Sequence, residues 1–205
     1  MTHETARAPG KQALPTGTTI GRYEILQALG SGGMSTVYRA CLHGPAGASK
    51  TVALKVIHPD LSRHAETQLM FLDEMRTTMA LSHRNLVQTF DAGNADGLPF
   101  LVMELVDGVS LEELLTLETR KRLPIDLALY VAAEVAAGLE YAHRSEAGVL
   151  HRDVSPGNVL ISKHGDVKLA DFGVAKAAGQ LAEDPLAIKC KLSHMAPEQA
   201  HGQEI

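Results

Sequence analysis

Asp153 and Asn158 stand five residues apart in the run His151-Arg152-Asp153-Val154-Ser155-Pro156-Gly157-Asn158, and Asp171-Phe172-Gly173 begins thirteen residues after Asn158. A carboxylate such as Asp153 can accept a hydroxyl proton, while the amide oxygen of Asn158 and the carboxylate of Asp171 are hard oxygen ligands for a cation. Gly173 beside the second carboxylate allows a backbone turn. Each piece alone is compatible with an ordinary loop. Ala196-Pro197-Glu198 closes the segment.

Upstream, Gly30-Ser31-Gly32-Gly33-Met34-Ser35-Thr36-Val37 lies between two β-like runs, where missing side chains let backbone N–H groups close over phosphate oxygens. A dinucleotide-binding turn would open a helix and keep a third small residue in register; here a second strand follows and Ser35 holds the third position. Taken alone the stretch reads as a glycine-rich hairpin. Val52-Ala53-Leu54-Lys55 then presents one ammonium among apolar neighbours, on a strand that reaches the region under the glycines. Glu74 can pair with it, leaving a rigidly held Lys55 to bind α- and β-phosphate oxygens. The alternative is a surface lysine on an edge strand.

Two kinds of element must position these groups. From Tyr23 to Met103 short β-like runs alternate with turns: Tyr23 to Leu29, Val37 to Cys41, Thr51 to Ile57, Leu86 to Asp91 and Phe100 to Met103. One helix interrupts them between Leu61 and Leu81, with Met70, Phe71, Glu74, Thr78 and Leu81 on a single face, so that a carboxylate points inward. After Gly108 the pattern turns helical, with a short helix near Ser110 to Leu117 and a long one from about Ile125 to His143. The long helix is apolar almost all the way round, the pattern of a helix buried on several sides. Val159 to Ile161 and Val167 to Leu169 flank a His-Gly-Asp turn and read as a small hairpin. Residues 1–20, poor in apolar side chains, read as a flexible leader, with structure beginning near Tyr23.

The bulk composition bounds the rest. A chain of 205 residues, 45% hydrophobic and 21% charged, can bury a sizeable core. A net charge of −5, with Lys and Arg spread along the chain, argues against nucleic acid as a partner. Cys41 and Cys190 lie far apart without metal-ligand spacing, which fits a reducing, cytoplasmic setting. No apolar run is long enough for a membrane span and no signal peptide is evident.

The ordered set of motifs resembles protein kinases, most closely the eukaryotic-like serine/threonine kinases of bacteria, over Tyr23 to Ile205. The resemblance implies an α+β protein kinase fold: a small β-rich N-lobe with one helix (about 21–103), a hinge (about 104–108) and a mostly helical, incomplete C-lobe (about 109–205). It implies ATP and Mg2+ as cofactors and a protein substrate phosphorylated on Ser or Thr. Gly30, Ser31, Gly32, Gly33 and Val37 match the loop over ATP, Lys55 the phosphate-binding lysine and Glu74 its helix partner. Met103 matches the gatekeeper, Glu104 and Val106 the hinge that bonds adenine, and Ala53 and Leu160 the residues that sandwich it. Asp153 matches the catalytic base; Asn158 and Asp171 match the metal ligands.

Departures from the family's pattern carry their own expectations. Ser155 stands where a lysine usually approaches the γ-phosphate. Lys191 occupies a position facing the catalytic loop that commonly holds threonine, which suggests a relocated charge. His194 and Cys190 replace the usual tyrosine and glycine, with consequences for how a peptide is held. Arg152 is the mark of kinases switched by phosphorylation of the activation segment, yet no Ser, Thr or Tyr lies between Gly173 and Cys190, so no such switch is expected there. The family's helical lobe continues beyond Ala-Pro-Glu for several helices, so Ile205 reads as a truncation that leaves the long helix uncovered. The rival reading is therefore an inactive nucleotide-binding or interaction module. A small-molecule kinase is disfavoured by the Ala-Pro-Glu segment.

Overall fold

The computed structural model describes residues 13–62, 65–118, 122–146, 148–172 and 194–201. They form two compact units, one drawn from Met1–Gln68 and Asp91–Leu105, the other from Leu69–Phe90 and Val106–Ile205. Helix α1 (Ala65–Met79) runs from the first range into the second.

The first unit is built on a six-stranded sheet of order β1-β2-β3-β4-β6-β5. The strands are β1 (Thr19–Ile20), β2 (Tyr23–Ser31), β3 (Ser35–His43), β4 (Ser49–Ile57), β5 (Thr89–Ala95) and β6 (Leu98–Met103). Strand β4 lies between β3 and β6, and its last six residues, Val52 to Ile57, are all buried. That continuous apolar run, broken only by Lys55, is what a central strand covered on both faces demands. Val52, Leu54 and Val56 join Ile25, Tyr38 and Val102 in one core, capped by the edge-on contact of the Tyr23 and Phe100 rings at 5.9 Å.

The leader expected through residue 20 ends earlier. The Leu14 N–H donates to the Tyr38 hydroxyl at 2.9 Å, Leu14 packs against the core, and buried Ile20 pairs with Tyr23 across β1 and β2. Two apolar side chains separated by turn residues are enough to dock the segment, although their spacing shows no strand period. The strand expected from Leu86 to Asp91 is also shifted. Leu86 and Val87 instead meet Leu169, in a single parallel bridge and a 2.9 Å bond, and the ladder starts at Thr89.

The second unit centres on α3 (Ile125–Arg144) and a three-stranded sheet of order β7-β8-β9: β7 (Gly108–Ser110), β8 (Val159–Ser162) and β9 (Val167–Leu169). Gly108 permits the β7–β8 pairing, because a Cβ there would stand 1.9 Å from the Ile161 carbonyl oxygen. Helix α2 (Leu111–Leu117) starts at a capping box in which Ser110 and Glu113 satisfy each other's backbone N–H groups. Val131, Gly138 and Ala142 are the buried residues of α3, and they face Leu86, Val149, Val167 and Leu169 in the second core. Among the described residues α3 is buried on one face and leaves the rest of its apolar pattern uncovered, the exposure expected for this chain. Ile125 is 80% exposed, and Leu127, Leu129 and Tyr130 are exposed too.

Asn85 ties the loop after α1 to this core. Its side-chain NH2 donates to the Val167 carbonyl at 2.9 Å and to Glu134 on α3 at 2.7 Å, and Arg84 adds bonds to the same carboxylate. The Asn85 amide, and then the Arg84 guanidinium, hold the Glu134 carboxyl below the usual carboxylate range.

Candidate active site

In the first unit β2 and β3 are joined through the glycine hairpin, with Ser31 opposite Thr36 and Gly30 opposite Val37. The Gly32 N–H donates to the Ser35 carbonyl at 2.8 Å and closes the turn. None of Gly30, Gly32 and Gly33 has a positive φ. A Cβ would meet nothing within 4 Å at Gly30 or Gly33, and only the Ser35 oxygen at 3.7 Å at Gly32. The hairpin's own backbone therefore does not call for glycine. What bare backbone leaves is room for a ligand to approach the peptide N–H groups closely.

Beside this hairpin, β3 and β4 pair so that Val37 is opposite Lys55, and β6 places Leu101 opposite Lys55 and Met103 opposite Ala53. Lys55 is 8% exposed. An ammonium so far from water is held only by electrostatic partners, which excludes the surface-lysine alternative. Glu74 lies within α1, but its side chain is outside the described residues, so the expected ion pair is not part of this description. Ala53 and Met103 are buried, and Glu104 and Val106 follow β6 outside any ladder.

In the second unit the two motif segments that carry Asp153, Asn158 and Asp171 come together. Pro156–Asn158 forms a single 3-10 turn closed by the Asn158 N–H on the Ser155 carbonyl at 3.0 Å. This turn swings Asn158 back so that its NH2 donates to the Asp153 carbonyl at 2.8 Å and to the Asp153 carboxylate at 3.0 Å. With both N–H groups spent on Asp153, the Asn158 amide oxygen is left as the donor atom for a cation. The Asn158 carbonyl accepts the Ala170 N–H at 2.8 Å, which fixes Asn158 beside the residue preceding Asp171. Leu160 follows on β8, half-buried.

His151, 2% exposed, organises the same loop, a role that residue-type reasoning did not assign. Its Nδ1 accepts the Asp153 N–H at 3.2 Å, and its other nitrogen lies 3.0 Å from the Ala170 carbonyl. A carbonyl only accepts, so the ring carries its proton on Nε2. The ring also packs on Phe172, with centroids 4.6 Å apart. Arg152 and Asp171 take φ values of 61° and 57°, a left-handed backbone that costs about 1–3 kcal/mol per non-glycine residue and clusters at functional sites. Gln199, on the short helix α4 (Pro197–Ala200), donates to the Arg152 carbonyl at 2.9 Å and so ties the Ala-Pro-Glu segment to this loop. Lys191, Cys190 and Gly173, with the whole stretch expected to lack a phosphorylation switch, lie outside the described residues.

The donor set suits a divalent metal. Among the described residues no three His, Cys, Asp or Glu side chains gather to hold an ion by themselves. One carboxylate and one amide oxygen are instead the partial protein shell typical of a hard cation that completes its coordination with water and phosphate.

Comparison with known proteins agrees with this geometry. The profile described as "Protein kinase domain" matches residues 23–205, and the chain belongs to that family. It is 38% identical to the tyrosine-protein kinase MasK of Myxococcus xanthus, over 90% of this chain and 30% of that protein. It is 36% identical to the serine/threonine-protein kinase PknB of Mycobacterium tuberculosis, over 90% of this chain and 29% of that protein. The chain thus spans less than a third of the length of these curated relatives. Among solved structures, the PknI kinase domain of M. tuberculosis superposes with a TM-score of 0.71 at 30% identity, over 94% of this chain and 69% of that one. The fold is the protein kinase fold, and ATP with a divalent metal is the family's common requirement. Among the described residues no helix is long and apolar enough to cross a membrane.

Proposed function

We propose that this chain transfers the γ-phosphate of ATP to Ser or Thr hydroxyls of proteins. The observation that carries the reading is the bond pair from Asn158 to Asp153 together with the Ala170–Asn158 backbone bond, which supports joint action of the base and both metal ligands. Asp153 takes the proton of the acceptor hydroxyl, and Asn158 holds that carboxylate in place. Magnesium on Asn158 and Asp171 would neutralise phosphate charge when bound. Lys55, with Glu74 as its partner, and the backbone N–H groups of residues 30–33 orient the phosphates. The backbone of Glu104 and Val106 bonds adenine, and Met103, Ala53 and Leu160 take the roles that the family resemblance gives them.

The same reading divides the chain into an N-lobe (about 21–103), a hinge (about 104–108) and C-lobe residues from about 109, and sets it in the cytoplasm with no nucleic acid partner. Lys191 supplies the charge that Ser155 leaves out. Lys191→Ala is expected to lower kcat about tenfold or more, with Ser155→Lys partly restoring it.

The test is radiolabel transfer from ATP to a protein acceptor by the 205-residue chain, followed by phosphoamino acid analysis. Phosphoserine or phosphothreonine, lost in Lys55→Met and in Asp171→Asn, is the expected result. An unchanged rate in either variant would overturn the assigned roles. Phosphotyrosine as the sole product would overturn the acceptor class, a direct check because MasK is named a tyrosine kinase. Nucleotide binding without transfer would point to the inactive-module alternative.

A further inference from the structure

One buried side chain touches the glycine hairpin from outside its own sequence and has no part in the roles assigned so far. His58 follows β4 directly and comes three residues after Lys55. It is 4% exposed, and its neighbour Thr36 is 1% exposed. The His58 N–H donates to the carbonyl of Met34, at the tip of the hairpin, at 2.9 Å. Its ring Nε2 lies 3.0 Å from Thr36 Oγ1 and 3.5 Å from Ser31 Oγ, and these two hydroxyls are 3.1 Å from each other. Ser31 ends β2, Thr36 lies near the start of β3, and the two are paired across the ladder. A single residue therefore holds both arms and the tip of the hairpin. Because a hydroxyl can donate or accept, Nε2 can bond Thr36 Oγ1 whichever proton arrangement the ring adopts, with Ser31 Oγ bonded to one of the two.

We propose that His58 is a positioning residue that pre-organises the glycine hairpin for the phosphate chain of ATP. The proposal rests on the reading of that hairpin as phosphate-binding. The physical reason lies in the glycines: a stretch containing Gly30, Gly32 and Gly33 loses more conformational freedom on ordering than any other, and that loss would count against every phosphate bound. Fixing three points from β4 makes much of the loss part of folding, so that less of it falls on binding. The strand that carries the phosphate lysine thereby also sets the hairpin opposite it. The nucleoside half of the ligand gains nothing from this, and that asymmetry makes the role testable.

The experiment measures affinity for ATP and for adenosine by calorimetry, and amide hydrogen exchange over residues 31–36, in the full chain and in His58→Leu, His58→Gln, Thr36→Val and Lys55→Met. Leucine fills a similar volume without a polar atom, and a glutamine amide can reach the position of Nε2. Expected in His58→Leu is an affinity for ATP weaker by about tenfold, adenosine within about twofold of the parent, and faster exchange over the hairpin; His58→Gln should recover most of the loss. Thr36→Val should move the same way to a smaller extent, and decides the matter should His58→Leu not fold. Unchanged ATP affinity in His58→Leu or Thr36→Val, or equal weakening for ATP and adenosine, would overturn the proposal. Lys55→Met separates the two levels of the argument. If it weakens ATP binding while His58→Leu does not, only the His58 role fails; if it leaves ATP binding intact, the phosphate reading fails as well.

Discussion

The glycine hairpin and the loop from His151 to Asn158, to which the proposed function gives related jobs, are built on opposite plans. The hairpin is open along its glycines and is held from one side by three contacts to His58. The loop from His151 to Asn158 is cross-bonded internally and to the 170–172 segment by buried His151, by both N–H groups of Asn158 and by two backbone bonds. In the proposed reading a hairpin fixed at three points still leaves its bare glycine backbone for a polyphosphate to complete, so loosening it costs affinity before rate. A base that must meet one hydroxyl within hydrogen-bond reach tolerates no such loosening. The difference teaches where mutations should cost rate and where they should cost affinity.

The largest expected effect breaks the loop's chemistry without touching its frame. Asp153→Asn should lower kcat by about 10²- to 10⁴-fold while leaving ATP affinity nearly unchanged, as read by radiolabel transfer beside nucleotide titration. A rate close to that of the parent would remove Asp153 from its role as base. Next comes the frame. His151→Ala removes a buried ring, strands the Asp153 N–H and the Ala170 carbonyl and opens a void against Phe172, so a loss of about 3 kcal/mol is expected, roughly 6–12 °C in Tm for a chain of this size. Calorimetry showing no shift would mean that the loop is not held as described.

On the hairpin the loss should shift from rate and stability to affinity. Gly33→Ala meets no steric conflict and should change stability by less than about 0.5 kcal/mol, yet weaken ATP binding by about threefold or more as the methyl group enters the open space. A variant that loses stability and keeps its affinity would contradict the comparison at its root. The smallest effect concerns the Asn85–Glu134 tie, which lies outside both regions. The Glu134 carboxyl is held below its ordinary range in the folded chain, so its contribution to stability is present above the unfolded value of about 4.3 and is lost as the pH falls through the lowered folded value. Glu134→Gln should flatten the decline of Tm between about pH 5 and pH 3; an unchanged slope would assign that decline to other carboxylates.

Residue types and their order were enough to identify the family. Asp153, Asn158, Asp171, Lys55 and the glycines carry groups of the kind that the proposed phosphoryl transfer uses, and the spacing of apolar residues placed most strands and the two longer helices within a few positions, though not β1, β7 or α4. What the sequence by itself determined is thus local: which atoms are present, and the turn, strand or helix each sits on, because periodicity and glycine content act over a few residues. Tertiary structure decided the rest, through contacts between distant segments. The proton on His151 Nε2 follows from the Ala170 carbonyl, nineteen positions away, and the role of His58 from hydroxyls twenty-two and twenty-seven positions upstream. Leu14 and Ile20 became part of the fold because Tyr38 and Tyr23 were there to receive them. A histidine in isolation carries no sign of which nitrogen will hold its proton or which loop it will hold, since both depend on partners that only the packed chain brings within hydrogen-bond distance.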